Sequence, residues 1–506
     1  MRAVSVILCI SMLFCSCSGG ENATVSDSHT SHTHSDISSP ALPSDIISVE
    51  DTSSGITSDM FTENPNHAPG SNTPVSSEPP VSSEPPVSSE PPVSSEPPVS
   101  SEPPVSSEPP VSSEPPVSSE PPVSSEPPVS SEPPVSSESP YDDPALSVTV
   151  GKVIDKNTPV KLSDYYWRSK LNSAEKALYD AFAKASSELV SDITVATAAK
   201  QDTVYKVLNY FLLDHPENFW WGKSYSLYST TDGYVTRVIM ETLYSVSEIK
   251  KIQGEIDKTV NKIISSIPEG ATDLEAELIF HDWIALNVSY DVAPSISVNS
   301  PDFTIYGAFV KGVCVCEGYA EAMQYLCQRV GIPAIGITGD ACSSNSVSRH
   351  KWCGIKIDGD WYLLDLTWDD LDRMNSLSYV YFNFTTATAS PTHIPDSSIK
   401  GDLPKFTATD ADFHVCFGLY CDTPNPDLQV LHGLSYFGSR AKGDSFILEI
   451  KGKDADTAQD CLDLLLKEGR LRKLIAQYNL DNGTNYSFSG SYYTVKSQVF
   501  RLVINK

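Results

Sequence analysis

The sequence predicts an α+β fold, reached through a long disordered N-terminal tether and followed by a small C-terminal α/β extension. Three observations predict it. From Val75 the unit VSSEPP recurs ten times, and an eleventh copy ends as VSSESP at Pro140. Helical periodicity then dominates from about 172 to 288. Beyond 350 the pattern turns to strands, with WCGIKID and WYLLDLTW joined at Asp358-Gly359. Helices first and strands after is the order of an α+β domain.

Residues 1–16, with Arg2 ahead of the apolar run from Ala3 to Phe14, read as an export signal too short to span a bilayer. The run ends at Phe14-Cys15-Ser16-Cys17, which resembles a lipobox with Cys17 as the acylated residue, although Phe14 and Cys15 depart from the usual Leu and small residue. Residues 17–74 are rich in Ser, Thr, Asp and Pro and are expected to be disordered. The repeats at 75–140 favour polyproline II, because paired prolines fix φ and extend the residue before them. Fully extended, such a spacer reaches on the order of 200 Å at ~3.1 Å per residue. The formal charge of -30 argues against nucleic acid as a partner and against simple electrostatic adhesion to anionic lipid.

Folded structure is expected from about 145, in three parts: a helical N-terminal part over 145–300, a catalytic core over 301–400 and the extension over 401–506. Asn172 caps the first helix with Glu175 three residues on, and Leu178, Phe182, Ala185 and Leu189 line one face. Further helical patterns cover roughly 201–213, 246–265 and 272–288. In the extension SFILEIK reads as a strand, 455–478 as a helix and 483–504 as strands. Outside the signal region eight cysteines remain, and the pairing of Cys314, Cys342, Cys353, Cys416, Cys421 and Cys461 cannot be deduced from sequence.

Three segments carry chemistry: VCEGYA around Cys316, RHKWCGIKIDG around His350 and DWYLLDLTWDD around Asp365. Cys316 stands where a loop meets a helix, since Ala320, Met323, Cys327 and Val330 recur at helical spacing and Gly331 and Pro333 end it. A helix start presents backbone N–H groups and positive dipole, which favour the thiolate. A two-residue turn at Asp358-Gly359 sets Ile357 opposite Asp360 and Trp352 opposite Asp365. His350 and Asp365 then share a sheet face as diagonal neighbours, within reach of a hydrogen bond. Cysteine supplies a nucleophile, histidine takes and returns its proton, and aspartate orients the imidazole. The three meet if the helix of Cys316 packs across that face.

Competing readings are weaker. Cys314, Cys316, Cys342, His350 and Cys353 include no CxxC pair, and no metal is expected. His281-Asp282 on an amphipathic helix reads as a surface or packing feature, and Trp352, Trp361 and Trp368 read as core.

VCEGYA, HKW and WYLLDLTWDD, in that order, resemble the signature of the transglutaminase-like superfamily. The segments YYW…LN..EK..YD and HDWIALNVSYD look like bacterial lipoprotein members of it. The resemblance covers about 160–395 and thins beyond 400. It implies a papain-like fold with a Cys-His-Asp triad, carried here by Cys316, His350 and Asp365. Cys314 and Cys353 depart from the pattern. The expectation is a cell-surface thiol peptidase or amidase on protein or peptide substrates, including cell-wall peptide, without cofactor. It is monomeric and bound to the cytoplasmic membrane only by its lipid. Amine transfer through the same acyl-enzyme, and a binding module without turnover, are the alternatives.

Overall fold

The computed structural model describes residues 150–293, 297–342, 346–371, 376–441, 443–495 and 498–506. The expected signal, Cys17 and the repeat tether lie outside them.

The first long helix, α1 (Ser173–Ser187), opens on the expected capping box. Asn172 accepts the N–H groups of Ala174 and Glu175, and Glu175 accepts that of Asn172. Leu178, Phe182 and Ala185 are buried, but the helix stops short of Leu189, whose φ of 56° turns the chain out of helical geometry. The helical N-terminal part also contains a sheet that local pattern did not announce. Strand β1 (Asp192–Lys200) leads into α2 (Gln201–Asp214), and β2 (Trp221–Ser229) and β3 (Tyr234–Thr242) follow. These three strands form an antiparallel sheet in the order β1-β3-β2. Register shifts in both pairings break the apolar–polar alternation by which a strand is recognised.

Helices α3 (Val246–Ser265) and α4 (Asp273–Asn287) each begin with a capping box, from Ser245 with Glu248 and from Thr272 with Glu275. Next comes α5 (Cys316–Arg329), buried along nearly its whole length. It packs against a four-stranded antiparallel sheet formed by β4 (Ala334–Cys342), β5 (Val347–Ile357), β6 (Asp360–Leu364) and β7 (His393–Pro395), in the order β7-β4-β5-β6. The turn between β5 and β6 is the expected one. Asp358 and Gly359 have φ of 48° and 98°, the left-handed pair of a type I′ hairpin, and Ile357 faces Asp360. Between β6 and β7 lies a short helix, α6 (Leu366–Asp369).

The extension builds its own sheet. Strands β8 (Tyr420–Cys421), β9 (Ser445–Gly452), β10 (Ser487–Val495) and β11 (Val499–Asn505) lie in the order β8-β9-β11-β10. Helix α7 (Asp427–Arg440) covers it, although its two glycines lower helix propensity. A side chain at Gly433 would collide with Leu448 at 2.7 Å, so packing requires what propensity disfavours. The single helix expected at 455–478 is two, α8 (Ala455–Leu466) and α9 (Arg470–Asn482). Glu468 and Gly469, with φ of 54° and 68°, break it.

A buried ion pair fastens the extension to the segment after α6. Arg501 donates to Glu449 at 2.7 Å and to Ser378 at 2.6 Å, and Glu449 accepts the N–H of Tyr379 at 3.0 Å. Among the sulfurs, Cys416 donates to the carbonyl of Asp410 at 2.9 Å, whereas the buried Cys421 hydrogen-bonds the Cys461 thiol. Cys421 is paired with Gly452, which packs on Ala458 one turn before Cys461. In an oxidising glutathione buffer we therefore predict a Cys421–Cys461 disulfide, read by mass mapping without reduction. A Cys416–Cys421 peptide would contradict it.

Candidate active site

Cys316 is the first residue of α5 and is fully buried. The loop before it is fixed by the Val315 N–H, which donates to the Asp302 carbonyl at 2.9 Å. A cysteine in this position feels the backbone N–H groups of the first turn, which stabilise a thiolate. Its neighbour Cys314 is also fully buried, and burial, with Cys316 beside it, pushes that thiol well above its usual pKa. Gly318 separates the two roles. A side chain there would lie 2.5 Å from the Cys314 Cβ and 2.8 Å from the Asp302 carbonyl, so the glycine lets the Cys314 side chain pack against α5. Packing accounts for the glycine.

His350 lies on β5 and Asp365 follows β6 as the N-cap of α6. The register carries Cys353 opposite Leu364, where the pairing ends; Asp365, which the strand count set opposite Trp352, instead gives its N–H to the Tyr381 carbonyl and still reaches His350. His350 Nε2 stands 2.7 Å from Asp365 Oδ2. The other carboxylate oxygen, Oδ1, accepts the Thr367 N–H at 3.1 Å. Burial alone would raise the Asp365 pKa. The imidazole N–H groups of His350 and a second histidine, His393, outweigh it and hold the carboxyl well below the usual range.

The helix of Cys316 does not lie across the His350 face. Its body packs on the alternate side of β5, where Cys353 Sγ donates to the Ala320 carbonyl at 3.1 Å and Lys351 donates to Glu321 at 2.7 Å. The first turn meets the strand through Glu317, which lies 3.5 Å from Lys351, the residue next to His350. Lys223 from β2 reaches the same Glu317 oxygen at 3.0 Å. Burial raises the Glu317 pKa and the two ammonium groups more than reverse it, so a carboxylate sits beside the helix start. Beyond Leu364 no β6 residue pairs with β5, and α6 packs against α5. Tyr319, one turn after Cys316, donates to Asp370, the residue that follows α6, and its hydroxyl also lies 2.9 Å from the Val288 carbonyl. The cysteine's helix and the carboxylate's helix are thus tied at their near ends.

His281 is buried rather than at the surface. Its ring stacks on Tyr379 and stands 3.2 Å from Asp282 and 3.5 Å from Asp369 of α6. Trp352 is core as expected, while Trp361 and Trp368 are partly buried against it. His393 was not singled out from sequence. Nothing in TATASPTHIPD marks it, because its relation to Asp365 exists only once β7 pairs with β4. The ligand-type atoms of His350, Asp365 and His393 all lie within 4.8 Å of one another.

Residues 261–366 match the model of the transglutaminase-like superfamily, a span that contains Cys316, His350 and Asp365. Over that span the chain is similar to the transglutaminase-like superfamily. The human kyphoscoliosis peptidase is 24% identical over 157 residues, which are 28% of this chain and 23% of the relative. The chain thus spans about a quarter of that curated relative's length. Among solved structures, a TGase is 12% identical, covering 39% of this chain and 48% of its own at a TM-score of 0.21. The periplasmic domain of TgpA from Pseudomonas aeruginosa is 13% identical, covering 28% and 60% at a TM-score of 0.17. The match ends one residue after Asp365, so the carboxylate's own partners beyond that point, His393 included, lie outside it.

Proposed function

We propose that the chain is a thiol-dependent peptidase or amidase with Cys316 as nucleophile, His350 as general base and acid, and Asp365 as the group that orients the imidazole. The observation that carries this reading is the 2.7 Å contact between His350 Nε2 and Asp365 Oδ2, beside the helix that begins at Cys316. With Nε2–H committed to the carboxylate, Nδ1 is the nitrogen that takes the thiol proton. The thiolate attacks the scissile carbonyl, and backbone N–H groups at the start of α5 stabilise the oxyanion. The imidazolium returns its proton to the departing amine and leaves a thioester on Cys316. Water, activated by the same imidazole, then releases the acid. Cys316 and His350 are both buried, so a substrate reaches them through local opening of the site.

The reading extends to location. An export signal, acylation at Cys17 and a proline-rich spacer would hold the domain away from the membrane, within reach of surface protein or wall peptide. The peptidase among the relatives favours hydrolysis over amine transfer. Product analysis tests this. Incubation of the protein with peptide amides, with and without an added primary amine, should give free acid in both cases. Product that forms only when amine is present would assign acyl transfer instead, and no product from any acyl donor with a folded protein would favour a binding module.

A further inference from the structure

The carboxylate that orients His350 is itself held by a second imidazole. His393 Nε2 lies 3.0 Å from Asp365 Oδ2, the same oxygen that accepts from His350. We propose that His393 is a positioning residue, a neutral imidazole whose Nε2–H fixes the Asp365 carboxylate so that His350 is presented in one orientation and one tautomer. The inference rests on the reading of Cys316, His350 and Asp365 given above.

Three features support it. The first is where the ring stands. His393 belongs to the edge strand β7, yet its side chain is buried. Trp368 at 4.6 Å, Trp352 at 5.0 Å and Phe384 at 5.3 Å between ring centroids enclose it. An imidazole confined by aromatic rings has one orientation, and so does the N–H it offers.

The second is the protonation state. Burial, only partly offset by Asp365, holds the His393 pKa below the ordinary imidazole value, so the ring is neutral at pH 7. A neutral ring that donates at Nε2 must accept at Nδ1. Thr392 Oγ1 stands 2.8 Å from Nδ1, closer than the 3.2 Å to its other acceptor, the Ala389 carbonyl. The Asp365 carboxylate, which only accepts, therefore places the proton on Nε2, and the Thr392 hydroxyl stands where it can donate to Nδ1.

The third is the arrangement about the carboxylate. Oδ2 takes two imidazole N–H groups and Oδ1 takes the Thr367 N–H. A bound transition ion would require each ligand atom about 2.0–2.2 Å from a common centre. Here both nitrogens stand at hydrogen-bond distance from a single oxygen, which is the geometry of donors around an acceptor. A carboxylate pinned on both oxygens cannot rotate away from His350, and it cannot recruit water in its place.

The test is the rate at which iodoacetamide alkylates Cys316 in the full chain, followed by mass mapping. His393→Phe keeps an aromatic ring among the tryptophans and removes the donor. His393→Gln removes the ring and keeps an amide N–H near the Nε2 position. A positioning role predicts that the Phe variant reacts about tenfold more slowly, while the Gln variant stays within about threefold of the unmodified protein. A role in packing alone predicts the reverse order, and that order would overturn the proposal. Thr392→Val covers the case in which the Phe variant does not fold, because Thr392 is only partly buried. Its loss should slow alkylation several-fold by taking away the donor that Nδ1 accepts from and so loosening the ring, and an unchanged rate there would equally overturn the proposal. Preferential alkylation of Cys316 in the unmodified protein separates the two failures. If it is absent, the thiol-enzyme reading falls; if it is present and the variants match it, only the His393 assignment falls.

Discussion

Cys316→Ala should remove all turnover of peptide amides and all covalent capture of a thiol-reactive peptide probe while leaving the fold in place. The substitution deletes one sulfur from a buried position at the start of α5. The cost is a small cavity, about 1 kcal/mol, because no hydrogen-bonded backbone is touched and alanine is a better helix former. The chemical loss is total, since the reading gives the acyl group no other acceptor. Cys314→Ser is the matched control. Cys314 sits against Gly318 with its thiol held protonated by burial, so its replacement should leave turnover within a few-fold. Full activity in Cys316→Ala, with the circular dichroism spectrum unchanged, would remove the nucleophile assignment. An active Cys316→Ser beside a dead Cys314→Ser would move it to the other sulfur.

Asp365→Ala has the largest combined effect on activity and stability. The carboxylate accepts from His350, His393 and the Thr367 N–H, and it caps α6. Alanine leaves two buried imidazole donors without that acceptor and an uncapped helix start. At about 1–2 kcal/mol for each orphaned donor and about 1 kcal/mol for the cap, the loss is about 3–5 kcal/mol. Turnover should fall by at least about 10³-fold, because an unoriented imidazole no longer holds its proton on the far side of the ring. Asp365→Asn retains an acceptor oxygen and should recover much of the stability. The acid side provides a second readout. The folded pKa of Asp365 is depressed, so its contribution is present in full above the unfolded value of about 4 and is lost as pH falls through the folded one. Chemical denaturation from pH 6 to pH 2 should show a steeper acid loss in the unmodified protein than in Asp365→Asn. Equal slopes would mean that the carboxylate is not held as described.

Much of the region around the candidate site was legible in the sequence. Asp358-Gly359 is a turn signal with a fixed geometry, and one register count from it was enough to set Asp365 beside the strand of His350. The capping pair Asn172 and Glu175 fixed the start of α1 for the same local reason. What could not be read depends on contacts between distant segments. Strands β1 to β3 carry register shifts that blur their alternation, and α7 tolerates two glycines because neighbours need the space. His393 lies far along the chain from Asp365 in a polar, proline-containing stretch. Only the pairing of β7 with β4 brings the two together. The packing of α5 on the Lys351 and Cys353 side of β5 was likewise hidden, since a buried lysine that pairs two glutamates looks in sequence like any surface charge.

The most direct measurement is competitive labelling of the full-length protein at pH 6 to 7 with a peptide bearing a thiol-reactive group, followed by mass identification of every modified cysteine. Modification concentrated at Cys316, and lost in His350→Ala, is the predicted result. Label that falls on another cysteine, or that reaches Cys316 no faster when His350 is intact, would contradict a thiol activated by that histidine.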